Sequence, residues 1–241
     1  MKVSQKIGKK IAQIPEGTVF GYRDMGLESN EYGAAAKSIG RLIAKGTIKR
    51  ASKGLFYKPK QTVFGALQPG EDELLKQYLF KNGQRVAYIT GSSLYNKMGL
   101  TMQFPFHLTV ASKTRRTKVS IGKMSINPVK SYANITNENY YLLGILDAIK
   151  DFNRIPDMDS DSVITILTNR LKELNPEKTK EIIEYALKYP PRVRALLGAI
   201  VENAGIKSEL GLLKESLSPL SKYKYDIKNN VLTNASKWNL I

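Results

Sequence analysis

The sequence predicts an α+β fold in which a small N-terminal domain precedes a larger mixed α/β domain with a helical C-terminal part. Three observations lead to this prediction. The first sixty residues follow the order helix, helix, hairpin; short strand-like and helix-like segments alternate in the middle; and apolar spacing is helical from Asn139 onward. We expect domains at residues 1–60 and 71–241, with residues 61–70 as a Gly- and Pro-containing linker.

The opening residues predict helices joined by an extended segment. Apolar residues recur at helical spacing from Val3 to Ile14, and Pro15 ends the helix. Residues 18–20 are expected to be extended, a brief helix begins near Tyr22, and a longer helix spans about residues 31–44. The polar face of the longer helix combines small residues with cations, as expected of a helix that enters the major groove of DNA.

A basic hairpin is predicted after this helix. Residues 47–51 and 55–58 have strand character, and Ser52, Lys53 and Gly54 form the turn between them. Helix, turn, helix and basic hairpin is the order of a winged helix-turn-helix. The candidate DNA contacts are Lys37, Ser38, Arg41 and Lys45 of the helix and Lys49, Arg50 and Lys53 of the wing.

The charge distribution favours a polyanionic partner for the N-terminal half. The chain has 38 Lys and Arg against 21 Asp and Glu, a net charge of +17. Residues 1–60 have 13 against 4, residues 61–130 have 10 against 3, and residues 131–241 have 15 against 14. Between Leu74 and Asn137 there is no acidic residue, so this stretch is either a solvated face paired with distant acids or a phosphate-contacting surface.

The second domain is predicted to be a small mixed sheet with helices. We expect helices at residues 71–81 and 92–98 and strands at 85–89, 106–111 and 118–126. Four further helices are expected at residues 140–152, 162–174, 176–187 and 191–203. The last two strands are joined by the segment "SKTRRTK", whose Arg115 and Arg116 are candidate phosphate contacts or a solvated hairpin tip.

Several classes of site are excluded by composition. There is no cysteine and only one histidine, so disulfides, thiolate metal sites and most histidine-based catalysis are ruled out. No apolar run is long enough to span a bilayer and no signal region follows the first lysines, so we expect a cytoplasmic protein that does not act at a membrane. We expect no cofactor and no metal.

Two motifs raise the question of catalysis. The "GSS" at residues 91–93 suggests a nucleotidyltransferase, but that chemistry needs a nearby carboxylate pair and the next acid is Glu138. Asp157, Asp159 and Asp161 have alternate spacing but precede a helix, where capping by Asp161 or Ser162 is expected rather than metal binding. We therefore expect a protein that is not an enzyme.

The blocks "IPEGTVF", "SIGRLIAKGTIKRASKGLFYKPK", "YITGSSLYNKMGLTMQFPFHLTV", "YPPRVRALLGAIVENAG" and "LKESLSPLSKYKYDI" cover nearly the whole chain. Their order resembles the AbiEi family of antitoxin-like regulators. The resemblance implies a bacterial repressor that binds inverted repeats in its own promoter, and it implies the antitoxin of a type IV, abortive-infection-like toxin-antitoxin system. It further implies a neighbouring nucleotidyltransferase toxin that is antagonised without obligatory contact. A homodimer on DNA would match the inverted repeats.

Two alternatives remain open at the level of sequence. A winged helix can act as a protein-interaction adaptor without binding DNA. A plasmid initiator-type DNA-binding protein would also be basic and winged-helical, but it would be expected to contain two similar winged units, and the "RLIAKG" pattern occurs only once.

Overall fold

In the computed structural model the chain divides into two compact units, residues 1–83 with 119–124, and residues 84–118 with 125–241. The structure describes residues 2–63, 65–104, 107–114, 118–121, 124–157, 159–225, 227 and 231–241.

The first unit contains the arrangement of a winged helix. It comprises α1 (Val3–Gln13), β1 (Val19–Gly21), 3-10 turns at Tyr22–Met25 and Ser29–Glu31, α2 (Tyr32–Ala44), β2 (Lys49–Ser52) and β3 (Leu55–Tyr57). The sheet order is β1-β3-β2, and both pairs are antiparallel. The brief second helix expected near Tyr22 is thus two 3-10 turns.

Apolar spacing explains why these elements fold together. Ile7 and Ile11 of α1, Ile39 of α2 and Phe20 and Phe56 of the sheet are each 2% exposed or less and belong to one core cluster. Because Ile7 and Ile11 are four residues apart, they lie on one face of α1. The periodicity seen in the sequence is therefore the buried face of the unit.

The chain continues in the first unit beyond Tyr57. β4 (Lys60–Thr62) and β5 (Gly65–Leu67) form an antiparallel hairpin, followed by α3 (Glu71–Leu79) and β6 (Phe80–Lys81). Residues 61–70, expected to be a linker, therefore contribute strands, and the two units divide after Gly83.

Helix α3 covers the outer edge of strand β1. The Glu73 Oε1 atom accepts a hydrogen bond from the Val19 N–H at 3.2 Å, and the Gln77 Nε2 atom donates to the Val19 carbonyl oxygen at 3.3 Å. These two side chains occupy the donor and acceptor that a further strand would use.

In the second unit the described pairings join three strands of a sheet, in the order β11-β9-β8. The first elements of this unit are β7 (Gln84–Arg85), β8 (Ala87–Thr90), α4 (Ser92–Lys97), β9 (His107–Ser112) and β11 (Met124–Lys130); β10 (Val119–Ile121) is grouped with the first unit. The expectation that the strand at 106–111 and the next strand form a hairpin is wrong. β9 pairs with β11 in parallel, with Leu108 opposite Ile126. A tight turn cannot join two parallel strands, so the chain between them must return to the end of the sheet at which β9 begins.

Helices make up the rest of the second unit. They are α5 (Tyr140–Lys150), a 3-10 turn at Phe152–Arg154, α6 (Ser160–Lys172), α7 (Pro176–Ala186), α8 (Pro191–Asn203), α9 (Gly211–Glu215) and a 3-10 turn at Ala235–Trp238. Asp159 rather than Asp161 or Ser162 caps α6, since its carboxylate accepts from the N–H groups of both of those residues. The predicted α+β class, with a mixed sheet and a helical C-terminal part, is confirmed.

Helix α8 is the centre of this helical part. Residues Ala195 to Val201 along it are buried. Trp238 packs so closely on Gly198 that a Cβ atom there would overlap the indole ring. The indole Nε1 atom donates to the Glu202 Oε2 atom at 2.6 Å, and the Asn234 amide donates to the same oxygen at 2.9 Å. The C-terminal segment is therefore attached to α8 by both packing and hydrogen bonds.

Across the described residues, the helices are too short or too polar for any of them to traverse a lipid bilayer.

Candidate nucleic-acid interface

The orientation of α2 is set by its buried side. Ala35 and Ile39 are 0% and 1% exposed and pack in the core with Ile7, Ile11 and Phe56. With 100° of rotation per residue, the opposite side of the helix carries a second set of residues, all exposed. We call this set the α2 outer face: Gly33, Ala34, Lys37, Gly40, Arg41 and Ala44.

Two cations stand on the α2 outer face. Lys37 and Arg41 are one helical turn apart, so their side chains are neighbours, and like charges at this spacing cost a few tenths of a kcal/mol in an isolated helix. Within the part of the chain that the structure describes, neither side chain forms an ion pair. Their positive charge is available to an anion outside the molecule.

The remaining residues of the α2 outer face are small. A Cβ atom added at Gly33 or at Gly40 would meet nothing within 4 Å, so no intramolecular contact explains the absence of a side chain. A glycine inside a helix costs about 0.5–1 kcal/mol relative to alanine. The low relief around Lys37 and Arg41 lets another surface approach the backbone of the helix closely.

Ser38 does not belong to this surface. From the sequence, Ser38 was predicted to lie beside Lys37 and Arg41. In the structure it is 5% exposed and lies on the buried side of α2 with Ala35 and Ile39. A rotation of 100° from Lys37 is enough to turn it towards the core. Ser38 is therefore not a candidate DNA contact.

The hairpin of β2 and β3 supplies further cations next to the end of α2. Lys45 caps the C-terminus of α2, Lys49 and Arg50 lie on β2, and Lys53 precedes Gly54, whose φ of 77° forms the turn. All four side chains are exposed, and none pairs with a carboxylate among the described residues. The structure thus leaves six of the predicted contacts of this unit in solvent: Lys37, Arg41, Lys45, Lys49, Arg50 and Lys53.

The carboxylates of Glu31 and Asp24 in the same unit already accept local hydrogen bonds. The Glu31 carboxylate accepts from the Glu28 N–H and from the Lys6 Nζ atom, each at 2.9 Å, and these bonds, the Glu28 N–H first, lower the pKa of Glu31. The Asp24 carboxylate accepts from the Gly21 N–H at 2.7 Å. Because these carboxylates serve local hydrogen bonds, they do not neutralise the cations of α2 and the wing.

Arg115 and Arg116, the candidate phosphate contacts of the second domain, lie outside the described residues.

The "GSS" motif has a structural explanation. Gly91 precedes α4 with a φ of 69°, and a Cβ atom there would lie 3.0 Å from the Thr109 side chain. Only glycine fits this backbone and this contact without strain. Among the described residues no group of three or more His, Cys, Asp or Glu side chains is arranged around a metal position.

Sequence reasoning missed a buried polar network in the second unit. Asp147 of α5 is 1% exposed, and its carboxylate accepts from the hydroxyl groups of Tyr88 and Thr90, both at 2.8 Å, and from the Lys150 Nζ atom at 3.1 Å. Burial raises the pKa of Asp147, and Lys150 opposes that effect. The available signal was an acid inside the otherwise apolar run "LLGILDAI".

A family model matches residues 6–182, which is more than half of the chain; its description is "Family of unknown function (DUF6088)". The chain belongs to the DUF6088 family. No curated protein matches the sequence. The description of the DUF6088 family assigns no activity, so the interpretation of the cationic surface of this member rests on its geometry.

A solved structure is similar to this DUF6088 member. It is the crystal structure of the RV2827C protein from Mycobacterium tuberculosis, with a TM-score of 0.52, 9% sequence identity, and coverage of 93% of this chain and 85% of that chain. At this identity the likeness shows that the two chains share a fold.

Proposed function

We propose that this protein is a double-stranded DNA-binding transcriptional regulator whose α2 outer face enters the major groove. The observation that carries the proposal is the combination of Lys37 and Arg41, exposed and unpaired among the described residues, with glycines at positions 33 and 40 that no internal contact explains. The major groove of B-form DNA is about 12 Å wide and admits one helix. Small residues allow the helix to approach, while the two cations reach guanine edges or phosphates.

The wing supports the same proposal. Lys49, Arg50 and Lys53 follow α2 within one compact unit and stay in solvent. In winged helices the hairpin contacts the backbone beside the groove that the helix occupies. Cations at the wing would therefore add affinity that depends on salt more than on base sequence.

The antitoxin role is a finer part of this proposal and rests on the resemblance to the AbiEi family. In this role the protein represses its own promoter at inverted repeats and antagonises a neighbouring nucleotidyltransferase toxin without obligatory contact. It acts without catalysis, without a metal or other cofactor, and in the cytoplasm. A homodimer matches the two half-sites.

DNA binding is tested with two exposed helical lysines. We expect Lys37→Ala to weaken binding to the DNA upstream of the gene, while Lys9→Ala, the same chemical change on α1, leaves it unchanged. Arg41→Ala should cost roughly 1–3 kcal/mol if the guanidinium reads a base. The measurement is fluorescence anisotropy with the upstream duplex and a scrambled duplex at two salt concentrations. Equal affinities for the wild type and the α2 variants would remove the groove assignment, and no binding at all would favour the adaptor.

The antitoxin role has a separate test. The gene is co-expressed with the neighbouring nucleotidyltransferase gene, and growth is compared with expression of the nucleotidyltransferase alone. Rescue of growth supports the role. An inert neighbour, or toxicity that the protein does not relieve, leaves a regulator that is not an antitoxin.

A further inference from the structure

A concave cationic site lies in the second unit, and none of its lining residues is among those assigned to DNA. Its cavity has a volume of about 290 Å³ and is lined by Tyr132, Pro190 and four charged residues beside Asn153. The charged residues are Lys150, Asp151, Arg154 and Arg192. Three positive charges thus face one negative charge.

We propose that this cavity binds the phosphate group of a small phosphorylated molecule. A phosphate group would be bound by donors of the lining that make no other hydrogen bond and are held in place by their neighbours.

Arg192 is held in place by a buried tyrosine. Its Nε atom donates to the Tyr225 Oη atom at 3.3 Å, and the Tyr225 hydroxyl donates in turn to the Arg192 carbonyl oxygen at 3.0 Å. The guanidinium carbon lies 5.0 Å from the centre of the Tyr225 ring. Because only the Nε donor is used by described residues, the two terminal nitrogens of the guanidinium are available to a ligand.

The chain segment that carries Arg154 also packs against Tyr225. Arg154 ends the 3-10 turn that contains Phe152, and the Phe152 ring packs edge-on against the Tyr225 ring at 5.5 Å. Arg154 itself is exposed, and no described acceptor binds its guanidinium group. One buried aromatic pair therefore positions the backbone at both arginines, and the hydrogen bond to Tyr225 also orders the Arg192 side chain, which reduces the ordering cost of binding there.

The negative residue of the lining is already neutralised. The Asp151 carboxylate accepts from the Tyr95 hydroxyl at 2.7 Å and lies 3.8 Å from the Lys150 Nζ atom. Lys150 also bonds Asp147, so it is mainly a structural cation. The two arginines supply most of the free donors.

Charge and size together select the ligand class. Two guanidinium groups with planar donor forks match the oxygens of a phosphate dianion better than they match the two oxygens of a single carboxylate. The cavity has room for about ten water molecules, which exceeds one phosphate ion and suits a phosphate with a small attached group.

The test uses the full chain and inorganic phosphate as the probe, in chloride buffer. Isothermal titration should show saturable binding at one site with a dissociation constant of about 1 mM or lower for the wild type. Arg154→Ala and Arg192→Gln should each weaken binding at least about tenfold. The matched control is Arg170→Ala, which removes an exposed arginine of α6 in the same unit.

Two results would overturn the proposal. One is the absence of saturable phosphate binding to the wild type, and the other is wild-type binding by Arg154→Ala, whose exposed side chain can be removed without disturbing the fold. Measuring duplex binding with the same variants identifies the source of the phosphate group. Arg154→Ala should bind the upstream duplex as the wild type does. Lys37→Ala should bind phosphate as the wild type does. A loss of duplex binding in Arg154→Ala would assign the pocket to the DNA backbone and contradict a small ligand.

Discussion

At the scale of single residues, Gly40 is a position at which folding and binding favour different side chains. It lies within α2, on the outer face between Lys37 and Arg41, and a Cβ atom there would touch nothing. Folding alone would favour alanine at this position, because alanine restricts the unfolded chain and suits a helix better. Close approach of DNA to α2, as proposed above, would account for the glycine.

The prediction at this scale concerns two substitutions of Gly40. We expect Gly40→Ala to raise the free energy of unfolding by about 0.5–1 kcal/mol. Gly40→Leu should leave the fold intact but weaken binding to the upstream duplex, since a bulky side chain would separate α2 from the groove floor. Thermal unfolding and anisotropy titrations measure the two effects.

Gly8 provides the control for this pair. It is an exposed glycine of α1 whose added Cβ atom would also meet nothing within 4 Å. Gly8→Leu should leave DNA affinity unchanged. Equal losses for Gly8→Leu and Gly40→Leu would contradict a specific role for the α2 outer face.

At the scale of elements, the C-terminal segment depends on a carboxylate of α8. The Trp238 indole and the Asn234 amide donate to Glu202, and these bonds, Trp238 first, lower the pKa of Glu202 below its ordinary value of 4.5. A carboxyl with a lowered pKa in the folded state contributes stability above its unfolded pKa. That contribution is lost as the pH falls through the folded value.

We expect acid to loosen the C-terminal segment through Glu202. Trp238 is 2% exposed and is the single tryptophan of the chain, so its fluorescence reports on this segment alone. Its emission should shift to longer wavelength as the pH falls below about 4.5. Glu202→Gln should show a weaker dependence on pH over the same range. Identical acid titrations for both proteins would show that another group controls the transition.

Elements also show how far the sequence could predict the fold. Helix α8 was predicted at its observed bounds, because Pro191 begins it and its apolar spacing is regular. The parallel pairing of β9 with β11 was missed, because strand pairing depends on contacts between distant segments that local patterns do not contain. The strands at residues 60–67 were likewise hidden by Gly65 and Pro69, which suggested a linker.

The candidate interface was predictable to the same degree. The cations of α2 and the wing could be read from composition and element order, whereas Ser38 required the rotation of α2 to be known within one residue. The proposed phosphate pocket could not be predicted, since Tyr225, from a third part of the chain, bonds Arg192 and packs against Phe152, two residues before Arg154.

At the scale of the whole molecule, the net charge of +17 leads us to expect that the proposed DNA binding depends strongly on salt. We expect Lys49→Ala with Lys53→Ala to flatten the slope of log affinity against log salt by about 2, because each phosphate contact contributes about 0.9. Discrimination between the upstream and scrambled duplexes should persist. A loss of discrimination at an unchanged slope would mean that the wing reads bases.

The covered edge of β1 bears on how copies of the molecule can associate. Glu73 and Gln77 of α3 already hold the backbone groups of Val19, so the winged sheet offers no template there for a strand from another chain. Strand exchange and edge-to-edge aggregation through β1 are thereby blocked at high local concentration, such as that of neighbouring copies on adjacent half-sites. Two copies on one duplex would have to meet through some other surface.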